Sequence, residues 1–440
     1  MTLLRNNNSG SGNETMKNNI VTVSLYDKEV CKLVWQGGYR NGFGKVGALV
    51  SFNPEYHKYG LNADPLGPYQ VSKYLVRQGL SDICRRNEYE GLPRFISSSL
   101  PDDWGNEVFS RWIEANEIRA HDVTPVDKLA FIGKRGMGGF EFIPEIYQSP
   151  STSNLILEDL YHCAKEILSQ REALSINLDD NPGINDLMSV GMSAGGKHPK
   201  AIIAINWDTK EIKSGQVLLP ESFTQYILKF KDSDRWPAAE IEYVYYLMAK
   251  ACGIRIENSS LLPIGGATHF LTERFDRKNG RKIHSATLRS LCGEISSYDD
   301  IFKKCRALHL EYQDIEQLFR RTVFNYLAGV TDDHDKNFSF LMDENGVWSL
   351  APAYDLTFTV NYKNRFIGDR HAMSIEECDR NISREQFLRL AKENDVRDAN
   401  NIIEEVISSV TTFHDKAQTL IPPEFSKLIS GFIGEQVKAL

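Results

Sequence analysis

Residues 331–355 read TDDHDKNFSFLMDENGVWSLAPAYD. Two short runs rich in apolar residues, 338–342 and 347–350, flank Asp343, Glu344, Asn345 and Gly346, and a turn ending in Asn-Gly between two such runs marks a β-hairpin. Four residues separate Asp332 from Asn337 ahead of the hairpin, and Asp355 follows it. Phosphoryl transfer needs a carboxylate to orient the attacking hydroxyl and accept its proton, and two oxygen ligands to hold Mg2+ against the phosphates. A hairpin runs out and back, so its two ends meet. Asn337 and Asp355 are therefore expected at one metal ion, with Asp332 as the carboxylate that takes the proton.

Protein kinases space these groups in the same way. Two other readings of Asp332, Asp333, His334 and Asp335 are open: a solvated acidic loop, and a metal-dependent phosphohydrolase that ligates through His334 and Asp335. The second needs further His or Asp ligands, and the other nine histidines are scattered without paired spacing.

Upstream, GMSAGGKHPKAIIAI (191–205) nearly satisfies the P-loop pattern with Gly191, Gly196 and Lys197, but His198 stands where the Mg2+-binding Ser or Thr belongs. A Gly-rich turn feeding a strand suits a flap over ATP phosphates, with backbone N–H groups and Lys197 or Lys200 facing the negative charge. In YILKFKDSD (226–234) Lys229 and Lys231 are two apart on one strand, and either could reach the α/β-phosphates. Glu242 on the following helix is the expected partner, with Glu240 the lesser choice. HFLTERFDRKNGRKIH (269–284) reads as a strand into a hinge between lobes; six basic residues against two acidic ones in 271–290 suggest either a solvated hairpin about Asn279-Gly280 or a docking surface for an anionic partner.

The remaining chain frames these segments. Alternation of Val21, Val23 and Leu25, then 30–35, predicts a hairpin turning at Asp27 and Lys28; helices are expected near 71–75, at 102–116 and at 125–131, with a short strand after the glycines of 132–144. A polar stretch at 148–154 and an amphipathic helix over 155–168 mark a boundary, and 315–327 carry one apolar helical face stopped by Gly329. Residues 1–19 have the composition of a disordered tail, and Met16 at its end is an alternative translation start.

The whole chain has 440 residues, 51 basic and 59 acidic side chains and a net charge of −8, which does not suit a generic nucleic-acid binder. Its seven cysteines are dispersed, odd in number and never spaced Cys-x-x-Cys, as suits a reducing cytoplasm without a zinc site. Apolar stretches such as 201–205 are too short to span a membrane.

Taken in order, SLPDDWG (99–105), IGKRGMGGFEFIP (132–144), SAGGKHPKA (193–201), ILKF (227–230), LTERFDR (271–277), TDDHDKN (331–337) and PAYDLTFT (352–359) resemble the HipA-type serine/threonine kinases, toxins of bacterial toxin–antitoxin pairs. The resemblance runs from residue 20 to the low 420s. It implies an α+β, bilobal protein-kinase-like fold with an additional N-terminal β-containing module and an all-α C-terminal lobe. The corresponding division is a tail (1–19), an N-terminal module (20–150), a kinase N-lobe (151–272) and a C-lobe (273–440).

By resemblance Asp332 is catalytic, Lys229 rather than Lys231 is the ATP lysine, and Asn337 and Asp355 hold Mg2+. The implied ATP contacts are Gly195, Gly196, Lys197, His198, Pro199, Lys200, Lys229, Glu273, Arg274, Phe275, His334, Asp335, Lys336, Asn337, Tyr354 and Asp355. Asp333 and Asp335 depart from the smaller residues common in this loop of the family. Ser193 matches the serine that family members phosphorylate in trans; the added charge of about −1.5 to −2 would oppose ATP in the same loop. The resemblance further implies a protein substrate such as an aminoacyl-tRNA synthetase, and a helix-turn-helix antitoxin through which DNA is contacted. Alternatives are a small-molecule phosphotransferase of kinase-like fold and an inactive, antitoxin-binding corepressor.

Overall fold

The structure, a computed structural model, describes residues 20–36, 47–67, 81–83, 89–147, 154–170, 187, 198–217, 219–361 and 368–440. The tail with Met16, the expected helix at 71–75, and Ser193, Gly195, Gly196 and Lys197 lie outside these residues.

Alternation at the start of the chain puts Val21, Val23 and Leu25 on one fully buried face of β1 (Val21–Leu25). The turn into β2 (Lys28–Gln36) falls one residue earlier than expected, because Tyr26 and Asp27 both take positive φ, at 50° and 59°, as a two-residue type I′ turn demands. With β3 (Gly47–Phe52), β4 (Ser81–Ile83) and β5 (Phe140–Ile143) they form an antiparallel sheet ordered β4-β3-β2-β1-β5. Helix α1 (Asp103–Ala115) starts where the Asp102 carboxylate accepts the Gly105 N–H, and α2 (Pro125–Ile132) opens with a Thr124–Asp127 capping box and proline in its first turn. Trp104, Phe95, Phe131 and Phe142 fill the core of this module.

A second antiparallel sheet, ordered β7-β6-β8-β10-β9, comprises β6 (Lys200–Asn206), β7 (Glu211–Ser214), β8 (Thr224–Lys229), β9 (Ser259–Ile264) and β10 (Ala267–Glu273). Strand geometry sends Lys229 and Phe230 to opposite faces. Phe230 stacks on Tyr161 of α3 (Leu157–Gln170), with ring centroids 5.9 Å apart, and Lys229 meets α4 (Ala238–Ala251).

Beyond the hinge, β11 (Arg277–Lys278) and β12 (Arg281–Lys282) close the expected hairpin over Asn279 and Gly280, both at positive φ. Strand β13 (His284–Thr287), which the sequence pattern does not announce, joins β14 (Ser339–Met342) and β15 (Trp348–Leu350) in a three-stranded sheet. The rest is helical: α5 (Leu288–Cys292), α6 (Tyr298–Ala307), α7 (Tyr312–Ala328), α8 (Arg384–Glu393), α9 (Ala399–Val410), α10 (Phe413–Ala417) and α11 (Pro423–Ala439). Helix α7 is more deeply placed than its apolar face suggests. Every residue from 318 to 328 is buried, including Arg320, Arg321 and Asn325, so α7 is the axis of this lobe rather than a surface helix. Among the described residues no helix is long and apolar enough to cross a membrane.

Candidate nucleotide and metal site

The β14–β15 hairpin forms as read. Phe340 pairs with Leu350 and Met342 with Trp348, and the Ala351 N–H returns to the Ser339 carbonyl at 3.0 Å. Its two ends meet in one cleft lined by Asn337, Asp333, Tyr354 and Asp355, with Arg321 and Asn325 of α7 behind. Asn337 donates through Nδ2 to the Asp332 carbonyl at 2.8 Å, which leaves its Oδ1 for a cation. Asp355 sits at a φ of 53° in the left-handed region, a conformation that aspartate tolerates better than most residues.

Of the two lysines, Lys229 is the one that reaches acids of both lobes. Its ammonium lies 2.6 Å from Glu242 Oε1 and also pairs with Asp355 Oδ1. Strand β8 ends at Lys229, so Lys231 leaves the strand face; it pairs with Asp234 at 2.9 Å and its N–H donates to His269. Burial works against the Lys229 charge, but Asp355 and Glu242 outweigh it and hold the ammonium well above the ordinary lysine range. Burial likewise opposes the Asp355 carboxylate, yet Lys229 brings it below its usual value, whereas burial dominates at Glu242 and raises it. One cation is thus shared by two carboxylates from different lobes.

The acidic run divides by environment. Asp332 is exposed, with 65% side-chain accessibility; its N–H donates to Thr359 Oγ1 at 3.0 Å, and His334 Nε2 lies 3.8 Å from its carboxylate. Asp333 is buried and accepts from Tyr298 Oη at 2.6 Å, His371 Nδ1 at 3.0 Å and the N–H groups of Ala372 and Met373. Asp335 is also buried, held by Arg289 Nε and the Ile295 N–H, each at 3.0 Å. Its carboxylate therefore faces away from the cleft. With its carboxylate so engaged, Asp335 does not form a ligand pair with His334 of the kind a phosphohydrolase would use. The two acids that depart from the family pattern brace the loop from within.

On the phosphate side, His198 is exposed and pairs with Asp232, and Pro199 is buried with its carbonyl accepting the Phe230 N–H. Lys200, expected to face phosphate, is 3% exposed; its Nζ reaches Asp102 at 3.2 Å and its carbonyl accepts Trp104 Nε1 at 2.9 Å. At the hinge, Glu273 accepts from Asn258 and Tyr226, while Phe275 pairs with Tyr354, ring centroids 5.6 Å apart. Arg274, expected as an ATP contact, is turned inward onto Asp276 with no side-chain exposure.

The basic stretch is therefore largely internal. Arg274 and Arg277 bind Asp276, Lys282 binds Glu141 at 3.1 Å and Arg289 binds Asp335; of its six cations only Lys278 and Arg281 are exposed. That excludes it as a continuous docking surface. Charge counting along a chain does not show which charges meet a partner inside. Sequence reasoning also missed Thr359, which receives the Asp332 N–H; its only signal is its place in PAYDLTFT.

The donor set fits magnesium. The Asp355 carboxylate and the Asn337 amide oxygen are hard oxygen ligands, and two of them suit an ion completed by phosphate oxygens and water.

Residues 192–413 match the family model described as HipA-like C-terminal domain. A curated relative from Haemophilus influenzae, named "Putative kinase", is 29% identical over 198 residues, 40% of this chain and 55% of that protein. A relative from Sinorhizobium fredii with the same description is 28% identical over 167 residues, 34% of this chain and 39% of that protein. The matches span about half or less of these relatives' own length. The solved structure of HipA from Shewanella oneidensis, in complex with HipB and its operator DNA, superposes with a TM-score of 0.63 at 17% identity, covering 95% of this chain and 96% of that one. That likeness shows the fold: α+β, bilobal and kinase-like, with the N-terminal module included.

Proposed function

The chain belongs to the HipA-like family, whose model covers half of it, and from that premise we propose that it is an ATP- and Mg2+-dependent serine/threonine protein kinase acting as the toxin of a toxin–antitoxin pair. The observation that carries this reading is the lysine shared by Glu242 and Asp355 above the Asp332–Asn337 loop. Those are the parts phosphoryl transfer requires, drawn from both lobes into one cleft.

Asp332, exposed at the rim, accepts the proton of the incoming hydroxyl while its oxygen attacks the γ-phosphorus and the bond to the β-phosphate oxygen breaks, releasing ADP. Lys229 orients the α- and β-phosphates, and Glu242 keeps it in place. Asn337 Oδ1 and Asp355 would hold Mg2+, which would supply positive charge to offset that of the phosphates. Phe275 and Tyr354 bound the base side of the cleft. Ser193 is the autophosphorylation site that silences the enzyme. The substrate is a protein of the translation apparatus, such as an aminoacyl-tRNA synthetase, and the partner is a helix-turn-helix antitoxin that carries the DNA contact.

Radiolabelled ATP, Mg2+ and the purified chain, followed by phosphopeptide mapping, test the reading. Label is expected on Ser193 in wild type and a loss of at least 100-fold, about 3 kcal/mol of barrier stabilisation, in Asp332→Ala and Asp355→Ala. Retained transfer in either variant defeats the assignment. Turnover without protein labelling favours a small-molecule phosphotransferase, and ATP binding without turnover favours a corepressor.

A further inference from the structure

Three charged side chains at the hinge leave water together. Arg274 and Asp276 have no side-chain exposure and Arg277 has 5%. Arg274 grips both carboxylate oxygens of Asp276, Nε to Oδ1 at 2.9 Å and Nη2 to Oδ2 at 2.8 Å. Arg277 Nη1 adds a third contact at 2.7 Å, and the Gly138 N–H donates a fourth at 2.7 Å from the N-terminal module. Arg277 then reaches back to the same turn, donating to the carbonyls of Gly136 at 2.9 Å and Gly138 at 3.3 Å. Arg274 Nη1 donates to the Gly215 carbonyl, just past β7, at 3.1 Å. A single carboxylate thus ties the first module, the second sheet and the hinge.

The turn is built for this approach. Gly138 has a φ of +71°, and a Cβ there would stand 2.9 Å from both the N and the O of Ser285. Burial opposes the Asp276 charge, but the two arginines and the Gly138 N–H overcome it and hold the carboxyl well below the usual carboxylate range. Taking such groups out of water is costly, and an apolar cluster could supply the same stability. What the charged cluster adds is fixed geometry, through bidentate, directional bonds.

That geometry bears on the cleft through Phe275, the residue between the two anchors. Its ring faces Tyr354, whose hydroxyl donates to the Lys336 carbonyl at 2.8 Å and shares a 2.6 Å hydrogen bond with Ser339. Contacts therefore run without a break from the 136–139 turn through Asp276, Phe275 and Tyr354 to the loop that carries Asp332 and Asn337. We propose that Asp276 is a positioning residue for the nucleotide cleft, setting the Phe275–Tyr354 ring pair, and that the 136–139 turn makes the N-terminal module a working part of nucleotide binding. The inference rests on the nucleotide reading above.

The test compares wild type with Arg277→Lys, which keeps a charge near Asp276 but loses the fork that holds both carbonyls. The control is Arg94→Lys, since Arg94 also ties the N-terminal module to the C-lobe, through the carbonyls of Ser290 and Leu291, without entering the hinge cluster. Arg277→Lys is expected to raise the ATP KM, and the Kd of a fluorescent ATP analogue, about tenfold with kcat held within about twofold; Arg94→Lys is expected to leave both unchanged. Linkage demands the reciprocal effect in wild type, so saturating Mg-ATP should slow amide hydrogen exchange in a peptide spanning 136–139. That measurement stands even if the variant does not fold. An unchanged KM in folded Arg277→Lys, equal shifts in both variants, or exchange at 136–139 indifferent to Mg-ATP overturns the proposal. A wild-type protein that binds no nucleotide overturns both this and the reading beneath it, and the labelling assay would then fail as well.

Discussion

Asp332 and Asp333 are neighbours of the same residue type with opposite fates. Asp332 projects from the loop into solvent, and Asp333 is enclosed by two side-chain and two backbone donors. A buried carboxylate so satisfied cannot be removed without stranding its donors, whereas an exposed one bears little on stability. Asp333→Ala should therefore lower the urea-unfolding free energy by about 3 kcal/mol, and Asp332→Ala should stay within about 0.5 kcal/mol of wild type while abolishing transfer. Matching losses of stability in the two variants would contradict the division of roles. Adjacent acids in a sequence carry no mark of which will be enclosed, because the enclosing groups come from α6 and from residues 371–373, some 35 to 40 positions away.

At the scale of elements, the hairpin and the helix ends were legible because local chemistry decides them. An Asn-Gly turn, a Thr-Pro capping box and a glycine stop act within a few residues of themselves. Gly329 ends α7 at a φ of +68°, and its carbonyl accepts the N–H of Thr359 at 3.1 Å, the same residue whose hydroxyl holds the Asp332 N–H. A Cβ at Gly329 would lie 2.7 Å from Phe432, 2.9 Å from Val360 and 3.0 Å from Phe358. Gly329→Ala thus combines left-handed strain with overpacking, and thermal unfolding should show a loss of about 2–4 kcal/mol. A wild-type melting temperature in this variant would mean that the helix end is not held as described. Strand β13 and edge strands β7 and β9 escaped notice for the converse reason: short, mixed runs become strands only when a partner elsewhere supplies the ladder.

Across the whole molecule, the N-terminal sheet meets the C-lobe at His284. The Tyr26 hydroxyl accepts the His284 N–H at 2.8 Å and donates to the Met342 carbonyl, while the imidazole lies between Phe140 and Trp348. Among the described residues neither ring nitrogen has a hydrogen-bond partner, and burial pushes the imidazole down to about 3. The folded state keeps this ring neutral whereas the unfolded chain protonates it near pH 6.5, so its contribution is complete above about 6.5 and is lost as pH falls toward 3. Urea titrations at pH 7 and pH 5 should show wild type losing about 2 kcal/mol more than His284→Gln over that interval; an equal loss in both would place the charge change elsewhere. The spacing of Asp332, Asn337 and Asp355, the hairpin between them and the order of motifs were settled by sequence alone, because chain connectivity and turn chemistry are local. Which lysine enters the cleft, which acids brace it, and that the basic run at 271–290 is mostly internal were decided only in the tertiary structure. Burial and ion pairing depend on groups more than a hundred residues apart, such as Gly138 and Asp276 or Lys229 and Asp355, and the linear order of a chain does not encode those meetings one residue at a time.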